Sequence, residues 1–221
     1  MPVRRPRLLL GAAAALIALL LGAVLGIYLQ STRGAPAGPD AGTVEVGFAQ
    51  DMSVHHRQAV LMAGIARDRS TDPAIRSLAF DIETSQLEQI GRMQGWLSLW
   101  NAAPLPIGRH MTWMTDASSM LGMGHHEGSG SGVATMPGMA APADLQRLRD
   151  ASGIPFDMLF LQLMLRHHQG GVPMARHAGE HAETAQVRNL AEKMVLSQSA
   201  ESHYMAWLIA QRGAVPLPPP S

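Results

Sequence analysis

Residues 48–66 read FAQDMSVHHRQAVLMAGIA, and residues 160–178 read FLQLMLRHHQGGVPMARHA. Both segments contain Met-x-x-His-His-x-x-x-x-x-Met, flanked by the same Phe, Gln, Val and Ala positions, 112 residues apart. Residues 48–97 align with residues 160–209 without a gap and with fifteen identities. The repeat is therefore a whole structural unit rather than a short motif.

Each copy of the repeat predicts a helical hairpin. Thr43 is a suitable N-cap for the first helix, and Asp72-Pro73 supplies an N-cap followed by a proline in the first turn of the second. The four predicted helices lie at about residues 43–69, 72–100, 156–181 and 185–212. Two similar hairpins joined by a crossover predict an all-α protein with the fold of a four-helix bundle.

The rest of the chain divides around this bundle. We interpret the parts as a signal peptide or membrane anchor (1–29), a flexible linker (30–42), the helical domain (43–212) with an insertion (101–153), and a Pro-rich tail (213–221). The insertion is rich in Gly, Ser, Met and His and predicts one short helix at residues 144–151. Such a long insertion in a small domain is often functional.

The N-terminus has the charge pattern of an exported chain. Arg4, Arg5 and Arg7 precede an uncharged run from Leu8 to Leu29. The basic residues predict that the N-terminus stays in the cytoplasm and that the domain lies on the extracytoplasmic side. The length of the run favours an uncleaved membrane anchor, whereas cleavage at the small-x-small site of residues 35–37 would give a secreted protein.

Composition excludes one class of partner and restricts the metal ligands. Lys and Arg number 17, as do Asp and Glu, so the chain has no basic excess and nucleic acid is not expected as a partner. The chain has no Cys. Disulfides and thiolate ligands are therefore excluded, and any soft-metal chemistry depends on His and Met.

The helical spacing of the first motif suits metal binding. At 100° per residue, Met52, His55, His56 and Met62 lie on one broad face of a helix. His55 and Met62 are about 10 Å apart along the axis, at ~1.5 Å per residue, so one ion is not expected to bind both from a straight helix. The motif thus predicts two sites, or half-sites that another helix completes.

The second motif carries additional histidines. Its predicted ligands are Met164, His167, His168, Met174, His177 and His181. His177 and His181 are four residues apart and could chelate one ion. Gly170, Gly171 and Pro173 are expected to interrupt this helix and to kink it.

Further candidate ligands lie in the insertion, and two glutamines in the partner helices are candidates to orient the imidazoles. Three Met-x-x-Met pairs in sequence rich in Gly and Ser are difficult to explain as core, and flexible thioethers suit Cu(I) or Ag(I). The auxiliary candidates are His110, Met111, Met114, Met120, Met123, His125, His126, Met136 and Met139. A disordered linker without function is the alternative. Gln86 and Gln198 are expected to hydrogen-bond inward-facing polar groups such as the imidazoles, with a half-exposed surface position as the alternative.

The motifs of common enzyme classes are missing from the sequence. It contains no Glu-x-x-His of di-iron bundles, no His-Glu-x-x-His, no Gly-x-Ser-x-Gly and no phosphate-binding loop. The leading hypothesis is an extracytoplasmic protein that sequesters or transfers copper. The alternatives are a copper-dependent redox enzyme acting on Cu(I) or oxygen species, and a structural or partner-binding helical module without metal.

The doubled Phe-x-Gln-x-Met-x-x-His-His-x-x-x-Val-x-Met-Ala pattern, with Met-x-x-Trp-Leu at residues 93–97, resembles the domain-of-unknown-function 305 family over residues 44–212. That family is ferritin-like and often exported, and it includes copper-binding proteins of the CopM type. The resemblance implies a four-helix bundle that binds copper through the Met and His residues of both motifs. Silver or zinc ions, a copper donor or acceptor protein and the membrane are further expected partners, and the oligomeric state stays open.

Overall fold

The computed structural model describes residues 5–32, 38–40, 43–114 and 132–220, with the side chains of the first helix described at residues 15–29. The chain separates into two compact units, Met1–Ala37 and Gly38–Ser221. The first unit contains α1, Arg5–Thr32. A search of the described residues finds no helix with the length and apolarity that crossing a membrane requires, so the predicted anchor is not confirmed.

The second unit contains the two predicted hairpins. Helices α2 (Val44–Arg69) and α3 (Pro73–Leu99) form the first. Helices α5 (Gly153–His181) and α6 (Ala185–Gln211) form the second. The Thr43 side chain accepts a hydrogen bond from Val46 N, and that of Asp72 accepts from Ala74 N and Ile75 N, so both predicted caps are confirmed.

The insertion leads from α3 to α5. Its described residues include α4, Pro142–Asp150, close to the short helix that was predicted. His110 and Val133 pair through two backbone hydrogen bonds of 2.9 and 2.8 Å. Apart from this bridge, the described residues contain helices and no strand, which confirms the all-α class.

The hairpins pack against each other chiefly through α2 and α5. The early residues of α2 share a core with the late residues of α5, and the late residues of α2 share one with the early residues of α5, so the two helices are antiparallel. Two apolar clusters result, one toward each end of the helices. The four motif histidines belong to neither cluster. Along α2 and along α5, they fall between the residues of one cluster and the residues of the other.

Candidate metal centre

The two His-His pairs meet where α2 crosses α5. The rings of His55 and His167 have centroids 3.8 Å apart and an interplanar angle of 37°. Those of His167 and His168 are 6.4 Å apart. All four motif histidines, including His56, are at most 1% exposed. The structure therefore brings residues of both repeats into one buried cluster.

Consecutive residues on a helix point about 100° apart, so the two histidines of each pair contact different helices. His55 and His167 face each other across the bundle, whereas His56 and His168 face the second helix of their own hairpin. His56 Nε2 donates to Gln89 Oε1 at 2.6 Å. His168 Nε2 contacts Glu201 Oε2 at 2.5 Å.

Three of the histidines have one ring nitrogen held by an oxygen. Besides the contacts of His56 and His168, His55 Nε2 donates to the carbonyl oxygen of Pro137 at 3.2 Å. An acceptor at Nε2 keeps the proton there and leaves the lone pair at Nδ1. Within the described part of the chain, Nδ1 of these three histidines and Nε2 of His167 are buried without a hydrogen-bond partner. Each ring thus has one buried nitrogen available to a ligand.

Burial keeps the imidazoles of His55, His56 and His167 neutral at neutral pH. It lowers the pKa of His55 from 6.5 to about 4, with the nearby His168 adding to the effect and the Pro137 carbonyl opposing it. Burial and the neighbouring His55 lower the pKa of His56 to about 3, although Gln89 opposes the shift. The pKa of His167 also lies well below its ordinary value, first because of burial and then because of His55. At neutral pH no proton competes with a metal for these three rings.

The motif methionines lie on both sides of the histidines. Met52 and Met174 share the apolar cluster that also contains Met93 and Met194. Met62 and Met164 share the other cluster. Because α2 and α5 are antiparallel, each pair combines a methionine that precedes one His-His motif with a methionine that follows the other. Their metal binding stays a prediction.

Acidic and histidine side chains do not form a three-ligand site in the part of the chain that the structure describes. No group of three or more His, Asp or Glu side chains there is arranged to hold an ion. His177 and His181, predicted as a chelating pair, stack with centroids 4.1 Å apart and an interplanar angle of 17°. His181 Nδ1 is 2.9 Å from the carbonyl oxygen of His177. These two rings lie beyond the central cluster, near Trp113, whose ring is 5.5 Å from that of His177.

The methionines of the insertion differ from the expectation of flexible pairs. Met114 and Met136 are buried in the cluster of Met52 and Met174, and Met111 and Met139 are partly buried against it. Gly- and Ser-rich sequence was expected to build no core. This expectation is wrong for these four methionines, because the insertion packs on the core of the bundle. The predicted ligands Met120, Met123, His125 and His126 lie outside the described residues.

A buried carboxylate that the predictions omitted holds the start of the insertion. Asp51 accepts hydrogen bonds from the backbone N of Met111 at 2.7 Å and from Trp113 Nε1 at 2.8 Å. It also contacts His110 Nδ1 at 2.6 Å. The available signal was an acidic residue directly before Met52 of the motif, on a helix predicted to pack in the bundle, because a buried carboxylate requires hydrogen-bond partners. His110 therefore contacts a carboxylate rather than the central histidines.

The glycines of the second motif do not interrupt α5, which continues through Pro173 to His181. They allow close approach instead. A Cβ at Gly170 would lie 2.1 Å from the carbonyl oxygen of Pro137, and one at Gly171 would lie 3.1 Å from His55 Cε1. The expected interruption is wrong, because the missing side chains serve tertiary contacts while the backbone stays helical. The predicted kink stays a prediction.

The glutamines predicted to orient the imidazoles are not the ones that do so. Among the described atoms, neither amide atom of Gln86 has a hydrogen-bond partner, and Gln198 Oε1 has none. Gln89 and Glu201, three residues further along each helix, contact the histidines instead. The prediction erred by about one helical turn, because the relative height of two helices depends on their packing.

A family model described as "Domain of unknown function (DUF305)" matches residues 45–209. The chain belongs to the DUF305 family. It is similar to a predicted secreted DUF305 protein of Streptomyces coelicolor, with 41% identity, a TM-score of 0.70, and coverage of 81% of this chain and 99% of that one. A DUF305 fragment from Deinococcus radiodurans is 31% identical, with a TM-score of 0.60 and coverage of 80% and 99%.

Another similar structure of the same fold is CopM in a Cu(II)-bound form. It is 28% identical, with a TM-score of 0.56 and coverage of 76% of this chain and 96% of CopM. No curated protein matches the chain. The resemblance to the DUF305 family that the sequence indicated is thus confirmed by the family model and by solved structures.

Proposed function

We propose that this DUF305 protein binds copper on the extracytoplasmic side of a membrane, through His and Met side chains of both repeats, and that it sequesters the metal or transfers it to another protein. The observation that carries the proposal is the central cluster, in which two His-His pairs from different repeats are buried, and His55, His56 and His167 have lowered pKa values. A buried nitrogen without a partner is costly unless a ligand engages it.

The donor chemistry supports copper. Imidazole nitrogen is a borderline donor and thioether sulfur a soft one, and together they suit Cu(I) and Cu(II) better than hard cations. The apolar clusters on both sides supply Met52 with Met174 and Met62 with Met164. The described residues contain no group of three or more His, Asp or Glu side chains arranged around an ion, so binding at the central cluster includes a rearrangement of side chains.

Similarity to CopM, which has been crystallised with Cu(II), also supports the proposal. The N-terminal arginines followed by an apolar run support export, as does the similarity to a predicted secreted relative. A protein without Cys can keep its metal ligands in an oxidising compartment, where thiols are lost to disulfides.

The test is a titration of the full-length protein with Cu(I) against a competing chelator. The variant with His55, His56, His167 and His168 all changed to Ala is expected to lose most of the copper, at least about 100-fold in affinity for the tightest ion. The matched control is His203→Ala, which removes an exposed histidine of α6 and is expected to bind like the parent.

Circular dichroism of both variants separates lost ligands from lost structure. If the fourfold variant does not fold, the pair His55→Gln and His167→Gln provides the same comparison with smaller changes in volume. A folded variant that binds as much copper as the parent would show that the central histidines are core residues only.

A further inference from the structure

A cavity of about 420 Å³ opens between the first half of α3 and the second half of α6. Its lining includes Ser77, Asp81, Glu201 and Tyr204. Asp81 and Tyr204 are exposed, so the cavity is reached from solvent. We call this cavity the acidic groove, because two carboxylates on facing helices line it.

Glu201 links the acidic groove to the buried histidines. Its side chain is 20% exposed and lines the cavity, while its Oε2 contacts Nε2 of the fully buried His168 at 2.5 Å. One carboxylate thus touches both solvent and the central cluster. The Nδ1 atom of the same imidazole is buried and, among described atoms, has no hydrogen-bond partner.

The opposite face of the bundle has a different charge balance. In the repeat, Gln89 is equivalent to Glu201, Lys193 to Asp81, Arg92 to Tyr204 and Glu88 to Ala200, so that face has two basic groups and one carboxylate, which pairs with Arg92. Gln89 makes the equivalent contact to His56, but it brings no charge. A cation approaching the two faces is therefore attracted by one and not by the other, and such attraction raises association rates.

The insertion covers the cluster on another side. The Pro137 carbonyl contacts His55 and approaches Gly170 so closely that no Cβ would fit between them. Entry on that side requires displacement of the insertion, whereas on the groove side the partly exposed Glu201 side chain lies directly against His168.

We propose, on the basis of the copper-binding function above, that the acidic groove is the port through which the cation reaches the central histidines. Asp81 attracts the ion, Glu201 receives it, and movement of Glu201 away from Nε2 of His168 opens the way to the lone pair at the buried Nδ1 of that imidazole. The two repeats thus differ in metal access as well as in sequence, since only the face that contains Glu201 admits the metal.

The experiment is rapid mixing of the full-length protein with aqueous Cu(II), followed by tryptophan fluorescence. Only the signal that disappears in His168→Ala is counted as binding to the cluster. Ala200→Trp places an indole at a cavity-lining position that is exposed on α6. Because a blocked port slows entry and exit alike, we expect association about 10-fold slower with an unchanged equilibrium constant.

Asp81→Asn tests the charge separately. We expect association about 3-fold slower at low salt, and the difference should vanish near 0.5 M salt as the charges are screened. The matched control is Glu88→Gln, which removes an exposed carboxylate at the position equivalent to Ala200, outside the lining of the groove. It is expected to associate at the rate of the parent.

The outcomes separate the two proposals. If the parent binds no copper at equilibrium, the copper-binding function fails, and the port fails with it. If the parent binds but folded Ala200→Trp and Asp81→Asn associate at the parental rate, the port is wrong and the function stands. A loss of equilibrium affinity in Ala200→Trp without slower association would also overturn the port.

Discussion

The two repeats place the same imidazoles in the same fold but surround them differently. In the first repeat, His56 meets the neutral Gln89, whereas in the second His168 meets the carboxylate of Glu201. The contact to the insertion also differs. Gln58 forms two hydrogen bonds with the backbone of Ala140, and its equivalent, Gly170, lets the Pro137 carbonyl approach α5.

Two similar hairpins thus build one candidate site whose halves have different surroundings. The residues that face the pseudo-symmetry axis, His55 and His167, are the same in both copies. The residues that face outward have diverged in charge and size, so one side offers a carboxylate and the other an amide. The insertion covers the histidines in two ways. It is hydrogen-bonded to Gln58 of α2, and it approaches α5 closely at Gly170, which has no side chain.

The largest effect is expected from acid on the metal-free protein. The pKa of His55 is about 4 and that of His56 about 3 in the folded state, against 6.5 for an ordinary histidine. The unfolded chain therefore binds protons more readily, and stability is lost as the pH falls from about 6.5 toward 4 and below. The share of His55 is about 3 kcal/mol. Urea unfolding between pH 7.5 and pH 4 measures the loss.

Gln89→Glu tests the difference between the repeats, because it gives His56 a carboxylate partner like that of His168. A carboxylate beside His56 raises the pKa of that imidazole, so the variant should lose less stability on acidification than the parent. Thr84→Glu adds the same charge at an exposed position of α3 and serves as the control. Stability that stays constant from pH 7 to pH 4 would contradict neutral buried imidazoles.

The next effect is expected at Gly170 of α5, where the insertion approaches the helix. Gly170→Ala places a methyl group where the Pro137 carbonyl lies, and we expect a loss of about 2 kcal/mol in the free energy of unfolding. Gly91→Ala is the matched control, because a Cβ there meets no atom within 4 Å. The helical preference of Ala over Gly should make that variant about 0.5–1 kcal/mol more stable. Equal effects of the two substitutions in denaturant unfolding would disprove the close contact.

The smallest effect is expected from removing the charge difference between the repeats. Glu201→Gln gives His168 the partner that His56 has, and we expect copper affinity to fall about 10-fold, or ~1.4 kcal/mol, because the carboxylate no longer strengthens the imidazole ligand. Competition with a chelator measures the change. Glu201→Asp should recover part of the affinity, and unchanged affinity in Glu201→Gln would show that the two halves are equivalent as ligands.

Local sequence signals were sufficient for the helices. Thr43 and Asp72 satisfy the first backbone N–H groups of α2 and α3 as predicted, because capping depends only on residues within one turn. The repeat spacing likewise predicted matching hairpins, and the helical spacing predicted that the first motif lies on one face of its helix. All four histidines are buried.

Contacts between distant segments were predicted less well. The sequence suggested Gln86 and Gln198 as imidazole partners, but Gln89 and Glu201 occupy that place, since helix spacing does not determine how far one helix is shifted along another. For the same reason nothing local indicated that Met114 and Met136 are buried with the bundle core.

Capping, periodicity and residue chemistry act within a few turns, so the helices, the repeat and the candidate His and Met ligands follow from local sequence. Which of these side chains meet depends on tertiary packing. The antiparallel packing of α2 and α5 brings His55 against His167, and the approach of Pro137 explains Gly170. These relations join residues 33 or more positions apart, whose proximity depends on the packing of complete helices.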